Sequence, residues 1–123
     1  MANEIKITIK FDFKNGNAAF PVERTDKKYD AVASAQRFVA GKQNIGYSSE
    51  EAIDIQEITN LGWAYFENLD DTDFVELRSA TGVADFAKLK TLEIATLRMA
   101  ANAVPFAQAN TSTVDLLYCI CED

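Results

Sequence analysis

The sequence predicts an all-β protein, a two-sheet antiparallel sandwich or jelly roll, and three observations carry that prediction. Ile5, Ile7, Ile9, Phe11 and Phe13 alternate strictly with Lys6, Thr8, Lys10, Asp12 and Lys14, which is the period of a strand with one buried face. Short runs rich in aromatic and β-branched residues recur down the chain, each bounded by turn residues. Their spacing gives about eight to ten strands, as many as two packed sheets need. The 123 residues read as one domain, 1–123, without an internal repeat or a linker.

The first element is the alternating run, which puts Phe11 in the core and Lys10 in water. Asn15-Gly16 follows and predicts a two-residue hairpin turn. In that register Phe13 faces Ala18, Phe11 faces Phe20 and Ile9 faces Val22, all on the apolar face. Pro21 then falls opposite Lys10 at a hydrogen-bonded site, where proline has no donor. Regular pairing is therefore expected to stop near Phe20, at a sheet edge. From Tyr29 to Gly46 the signals conflict. Four alanines favour helix, whereas the bracketing Gly41 and Gly46 and the strand-like surroundings favour extended chain. Extended chain is the expectation there, and Ala52 to Ile58 reads as another short strand.

Gly62–Leu77, GWAYFENLDDTDFVEL, is the most informative stretch. Two strand-like runs flank an Asx-rich segment and predict a β-hairpin. Trp63 and Tyr65 lie on one face of the first run, Ala64 and Phe66 on the other. A strand apolar on both faces needs cover on both, so one cover comes from the core and a second from this chain or another. Trp63, Tyr65, Phe66 and Phe74 are accordingly the candidate interface. Val83–Leu89 and Leu92–Met99 form a further pair of runs around Lys90-Thr91. Leu92–Ala103 is balanced between strand and helix on propensity until Pro105 ends any helix. Thr113–Cys121 closes the sequence as a buried strand.

Charge and composition narrow the function. Twelve basic and 19 acidic residues give a net charge of −7. The densest basic spot, Arg24, Lys27 and Lys28, is diluted by Glu23, Asp26 and Asp30, so no stripe fit for a phosphate backbone is expected. No apolar run approaches the roughly 20 residues of a membrane helix. The N-terminus lacks the layout of a signal peptide, so the expectation is synthesis in the cytosol, with retention there or exit by a route that the N-terminus does not encode. The chain has no histidine, which removes Ser-His-Asp and Cys-His nucleophiles and histidine metal sites. Cys119 and Cys121 lack further Cys or His to complete a zinc site and read as reduced core thiols. Asp70, Asp71 and Asp73 lack the glycine and the glutamate of a calcium loop. Glu50, Glu51 and Asp54 are no more than the carboxylate neighbours that an acidic protein offers. No enzyme activity, catalytic residue, metal or cofactor is expected.

At Gly62–Val75 and again at Phe86–Leu97 the chain resembles a group of small virion structural proteins of tailed bacteriophages. The shared layout is a polar, β-forming start like MANEI, the GWAYFENLDDTDFVEL segment, a FAKLKTLEIATLRMA segment and an apolar last strand with an acidic tail, YCICED. One departure is Thr91-Leu92, where a proline-glycine turn is expected. The resemblance implies a β-sandwich subunit of a capsid or tail lattice, most simply a capsid cement or decoration protein on the virion surface. It implies the major capsid protein and further copies of itself, as a trimer, for partners, and neither nucleic acid nor membrane. A tail or head–tail connector subunit meets the same requirements. A carbohydrate- or receptor-binding sandwich is the alternative that an exposed Trp63 and Tyr65 would favour.

Overall fold

The computed structural model describes residues 4–30 and 37–122. Ten strands run in order: β1 (Glu4–Asn15), β2 (Ala18–Asp30), β3 (Phe38–Ile45), β4 (Glu51–Ala52), β5 (Leu61–Asn68), β6 (Val75–Arg78), β7 (Ala87–Leu89), β8 (Ile94–Arg98), β9 (Phe106–Ala109) and β10 (Val114–Glu122). Strands β3 to β10 form two four-stranded sheets, ordered β3-β10-β5-β8 and β4-β9-β6-β7. All pairings are antiparallel, and β3 pairs with β10, β4 with β9, β5 with β8 and β6 with β7. A long hairpin of four strands out and four back, rolled across two sheets, produces this order. It is the jelly roll, one of the two architectures expected.

The two sheets share one core. From the first come Val39, Ile45, Ala64, Phe66, Leu116, Tyr118 and Ile120, and from the second Val75, Leu77, Leu89, Ala107 and Ala109. Strand β10 alternates buried and half-buried side chains over all nine of its residues, so its core face is set by period two alone. Leu92–Ala103 contains β8 and a following turn, with no helix, because β8 must present Ala95 and Leu97 to the core at strand spacing. The reading of Tyr29–Gly41 falls partly on residues 31–36, outside the described residues. Of the strand expected at Ala52–Ile58 only Ala52 is paired, in β4, while Ile53 and Ile58 are buried as anchors of a loop.

Strands β1 and β2 form a separate two-stranded sheet, a hairpin arm paired from Glu4 with Asp30 to Asn15 with Ala18. At about 3.3 Å per residue its 12-residue first strand is roughly 40 Å long. The register corrects the sequence reading. Gly16-Asn17 are the turn residues, so Phe13 faces Phe20, Phe11 faces Val22 and Asp12 faces Pro21. A two-residue shift keeps every side chain on the face expected. It also moves Pro21 to a position between ladder hydrogen bonds, where the missing N–H costs nothing, and pairing runs on past it to Asp30. Gly16 takes a φ of 60°, which a side chain would resist. Near the middle the ladder slips between Ile7 and Ile9, and Asp26 takes up the extra residue at φ 52°. Its N–H is held by the Thr8 hydroxyl at 3.1 Å.

Two further readings change. Gly62–Leu77 is not a hairpin: β5 belongs to one sheet and β6 to the other, so Asn68–Phe74 is a corner that carries the chain across the sandwich. Likewise β7 and β8, expected to pair around Lys90-Thr91, join different sheets. Two apolar runs around a polar turn fit a hairpin and an inter-sheet corner equally well. Only the hydrogen-bonding partners distinguish them.

Candidate interaction surface

The two sheets differ on their outer faces. On the β4-β9-β6-β7 sheet most outward side chains are polar and mutually engaged, with Phe106 and Ala52 the apolar members of that face. Arg78 donates to Asp85 and Gln108, and its Nη1 lies 3.5 Å from a Glu50 oxygen. The Asp85 contact holds the guanidinium firmly charged and, in turn, holds the Asp85 carboxyl below its usual value. Glu50 accepts the Gly82 N–H (2.8 Å) and the Thr81 hydroxyl (3.2 Å), and the Gly82 bond is the main reason its carboxyl is held low. Lys88 Nζ sits 3.9 Å above the ring of Phe74.

The outer face of the β3-β10-β5-β8 sheet carries an apolar band, with Lys42, Asn44, Glu67, Thr96, Arg98 and Asp115 on the same side of the sheet. Register places Phe38 beside Cys121, Ala40 beside Cys119 and Tyr65, and Thr96 at the end of that second row. A third row runs Lys42, Leu117, Glu67, Ile94. The base of the arm crosses this face. Tyr29 lies over Trp63 with ring centroids 4.9 Å apart and planes 31° apart. Ile5 meets a hollow formed with Tyr65, Cys119 and Cys121. Ile7 and Ile9 reach Thr96 and Leu97 on edge strand β8, across a cleft of about 340 Å³ that Arg24 and Lys27 also border. The arm thus runs from β10 over β5 to β8, then off the sheet. Beyond that edge its apolar side has no cover: Phe11, Phe13 and Phe20 are 58%, 47% and 59% exposed, and the core position expected for Phe11 is not what forms. Phe11 and Phe20 meet only edge to face, 6.4 Å apart.

Cys119 and Cys121 are free and half-buried on this outer face, under the arm, and not in the core. They lie two apart on one strand and so point the same way. Burial, aided by the neighbouring Cys119 thiol, pushes the Cys121 thiol up to about 11. It is therefore protonated and a weak nucleophile at neutral pH.

The acidic residues of the sequence brace loops. Asn68 is fully buried, and its Nδ2 donates to the carbonyls of Asp73, Leu89 and Lys90 at 2.9, 3.0 and 3.2 Å. Asp70 accepts the N–H groups of Asp73 and Thr72, which hold its carboxyl below the usual range. Asp73 accepts the hydroxyls of Ser112 and Thr111 and is held low in the same way. The corner from β5 to β6 is thereby tied to the β9–β10 loop. Glu51 accepts from Gln43 and from the Gly46 N–H, while Asp54 caps Gln56. Among the described residues no three His, Cys, Asp or Glu side chains converge as metal ligands do.

The four candidate interface residues are separated by the fold. Trp63 and Tyr65 lie outward beneath the arm, and the Tyr65 hydroxyl donates to Glu67 at 2.6 Å. Phe66 is 1% exposed inside the sandwich, so it packs the core. Phe74 is half-buried at the corner, under Lys88. The second cover that the doubly apolar strand needs is supplied, for Trp63, by the same chain. The sequence reading did not select Phe11, Phe13, Phe20, Phe38 and Ile94, all exposed. A signal for the arm was present in its length, since strands of 12 and 13 residues exceed any strand of the sandwich. Comparison of the chain with protein-family models, curated proteins and solved structures returns no match.

Proposed function

We propose that this chain is a non-enzymatic structural subunit of a bacteriophage virion, a cement or decoration protein that attaches to the capsid from outside. The observation that carries the reading is the arm: a long hairpin built to hold phenylalanines in solvent, which has a use only in assembly. The jelly-roll body suits the same task, because its conspicuous carboxylates brace loops and its loops are short. The phage assignment rests on the resemblance at Gly62–Val75 and Phe86–Leu97. Tyr29 already occupies the face of Trp63, so a sugar-stacking platform has less support than an assembly surface.

A cement subunit acts by multivalency. Several weak contacts from one oligomer, here a trimer, combine through effective concentration into tight attachment. Binding the assembled shell and not its separated state stabilises it, by about 2.7 kcal/mol per site at 100 times Kd. The test is to add purified protein to shells that lack it, then measure occupancy and shell melting temperature. Saturable binding that raises the melting temperature is expected. Binding confined to tails would replace this reading with a tail or connector role, and absence of binding to either would reject a virion role.

A further inference from the structure

We infer that the free end of the arm docks on a second copy of this chain, against the outer face of that copy's β3-β10-β5-β8 sheet, in a head-to-tail ring. The inference rests on the proposed assembly role only in taking the chain as a subunit. A two-stranded hairpin is marginal in water unless a face is packed. This one is packed along its base and bare along its distal half.

Area identifies a fitting occupant. With aromatic side chains presenting about 150–250 Å² each, three phenylalanines at 47–59% exposure leave roughly 250–400 Å² of apolar arm surface. A specific interface buries about 800 Å² per partner, a little over half of it apolar. The arm alone comes near that share. The surface open to receive it is on the same chain: Phe38, paired with Cys121 on edge strand β3, and Ile94, paired with Glu67 on edge strand β8, are 66% and 62% exposed at the margins of the face that the chain's own arm leaves uncovered.

Charge points the same way. Residues 1–30 hold six basic and five acidic side chains, leaving six and fourteen of the chain's 12 and 19 for the remainder. An arm of net +1 meets a body of net −8, which favours arm on body over body on body. Arm on arm would leave Phe38 and Ile94 bare and would set like charges together. Arm on face buries both patches, and a contact between two different patches closes into a ring when the rotation permits.

The test is complementation, read as mass by analytical ultracentrifugation. Wild type is expected as a closed oligomer. Phe11→Ser/Phe13→Ser, with a dead arm, and Phe38→Ser/Ile94→Ser, with a dead face, are each expected as monomers. Mixed one to one, they are expected to give a dimer of one of each, because one sound arm meets one sound face. A monomeric wild type at about 100-fold above a micromolar Kd would overturn the inference. So would a face variant that keeps the wild-type mass, since that indicates arm-to-arm pairing. If a variant loses its sheet circular dichroism, wild type alone decides. Carbodiimide should join Lys10 or Lys14 of one isotopically labelled copy to Glu67 or Glu93 of an unlabelled one. Crosslinks confined to single copies would overturn the inference. Oligomers that ignore capsids would leave it standing and remove the virion role, whereas monomers that bind capsids would do the reverse.

Discussion

Strands β1 and β10 both place an apolar residue at every second position and meet opposite fates. On β10, Leu116 and Ile120 are wholly excluded from solvent between two sheets. On β1, Phe11 and Phe13 stand half in water at the end of an arm. Period two states that a strand has an apolar face. It does not state what covers that face, which depends on strands far away in sequence, or on another molecule. The difference separates two kinds of apolar surface, one that makes the fold and one that the fold displays.

Truncation in the two regions gives the largest contrast. Phe66→Ala empties a fully buried site and should cost about 3–5 kcal/mol, while Phe11→Ala should cost under about 0.5 in the monomer. Urea unfolding at a protein concentration too low for association measures both. Similar losses would mean that the arm tip is packed in the isolated chain and that the two regions are alike.

Next in size is the corner that divides the sheets. Asn68→Ala would strip three carbonyls of a buried donor at once, and a loss of about 3 kcal/mol is expected. The sequence hid this residue's role. Asn68 reads as one of several turn residues, and its partners at Leu89 and Lys90 lie about 20 positions away. Local pattern was sufficient for the all-β class and the approximate number of strands. It was not sufficient for which strands pair, because a hairpin and a corner share the same local chemistry. Trp63 was legible as a residue needing a second cover, but nothing near it in sequence announced that Tyr29 supplies one. Phe66 was misplaced on the interface because alternation alone does not say which of two apolar faces points inward.

Acid should act on the loop carboxylates of the body. Asp70, Asp73 and Glu50 are held below their ordinary values by hydrogen bonds in the fold. The unfolded chain therefore binds more protons than the folded one as pH nears about 4. Their contribution is fully present above the unfolded carboxylate values and is lost as pH falls through the lower folded ones. Urea midpoints should be level between about pH 7 and pH 5 and fall below about pH 4. Asp73→Asn should flatten the fall, and an unchanged slope would show that the corner is not what titrates.

The smallest effect is expected at the other crossing between the sheets, where β7 leads to β8. The Glu93 N–H donates to the Lys90 carbonyl at 3.1 Å, which makes Lys90–Glu93 a four-residue turn. Leu92, third in that turn, has a φ of 60°, whereas Thr91 before it does not enter the left-handed region. A positive φ at the third residue alone is the mark of a type II turn, which favours proline second and glycine third. Thr91-Leu92 thus holds that backbone shape with less suitable residues than proline and glycine. A left-handed leucine costs about 1–2 kcal/mol, and its side chain recovers little, being 60% exposed. Thr91→Pro/Leu92→Gly should relieve that strain, and the proline also reduces the freedom of the unfolded chain, against which the glycine adds some back. A net gain of about 1 kcal/mol, or roughly 3–6 °C in melting temperature, is expected. A loss of stability would mean that Leu92 is covered in the working assembly, and the receiving face would then extend from Ile94 across this turn.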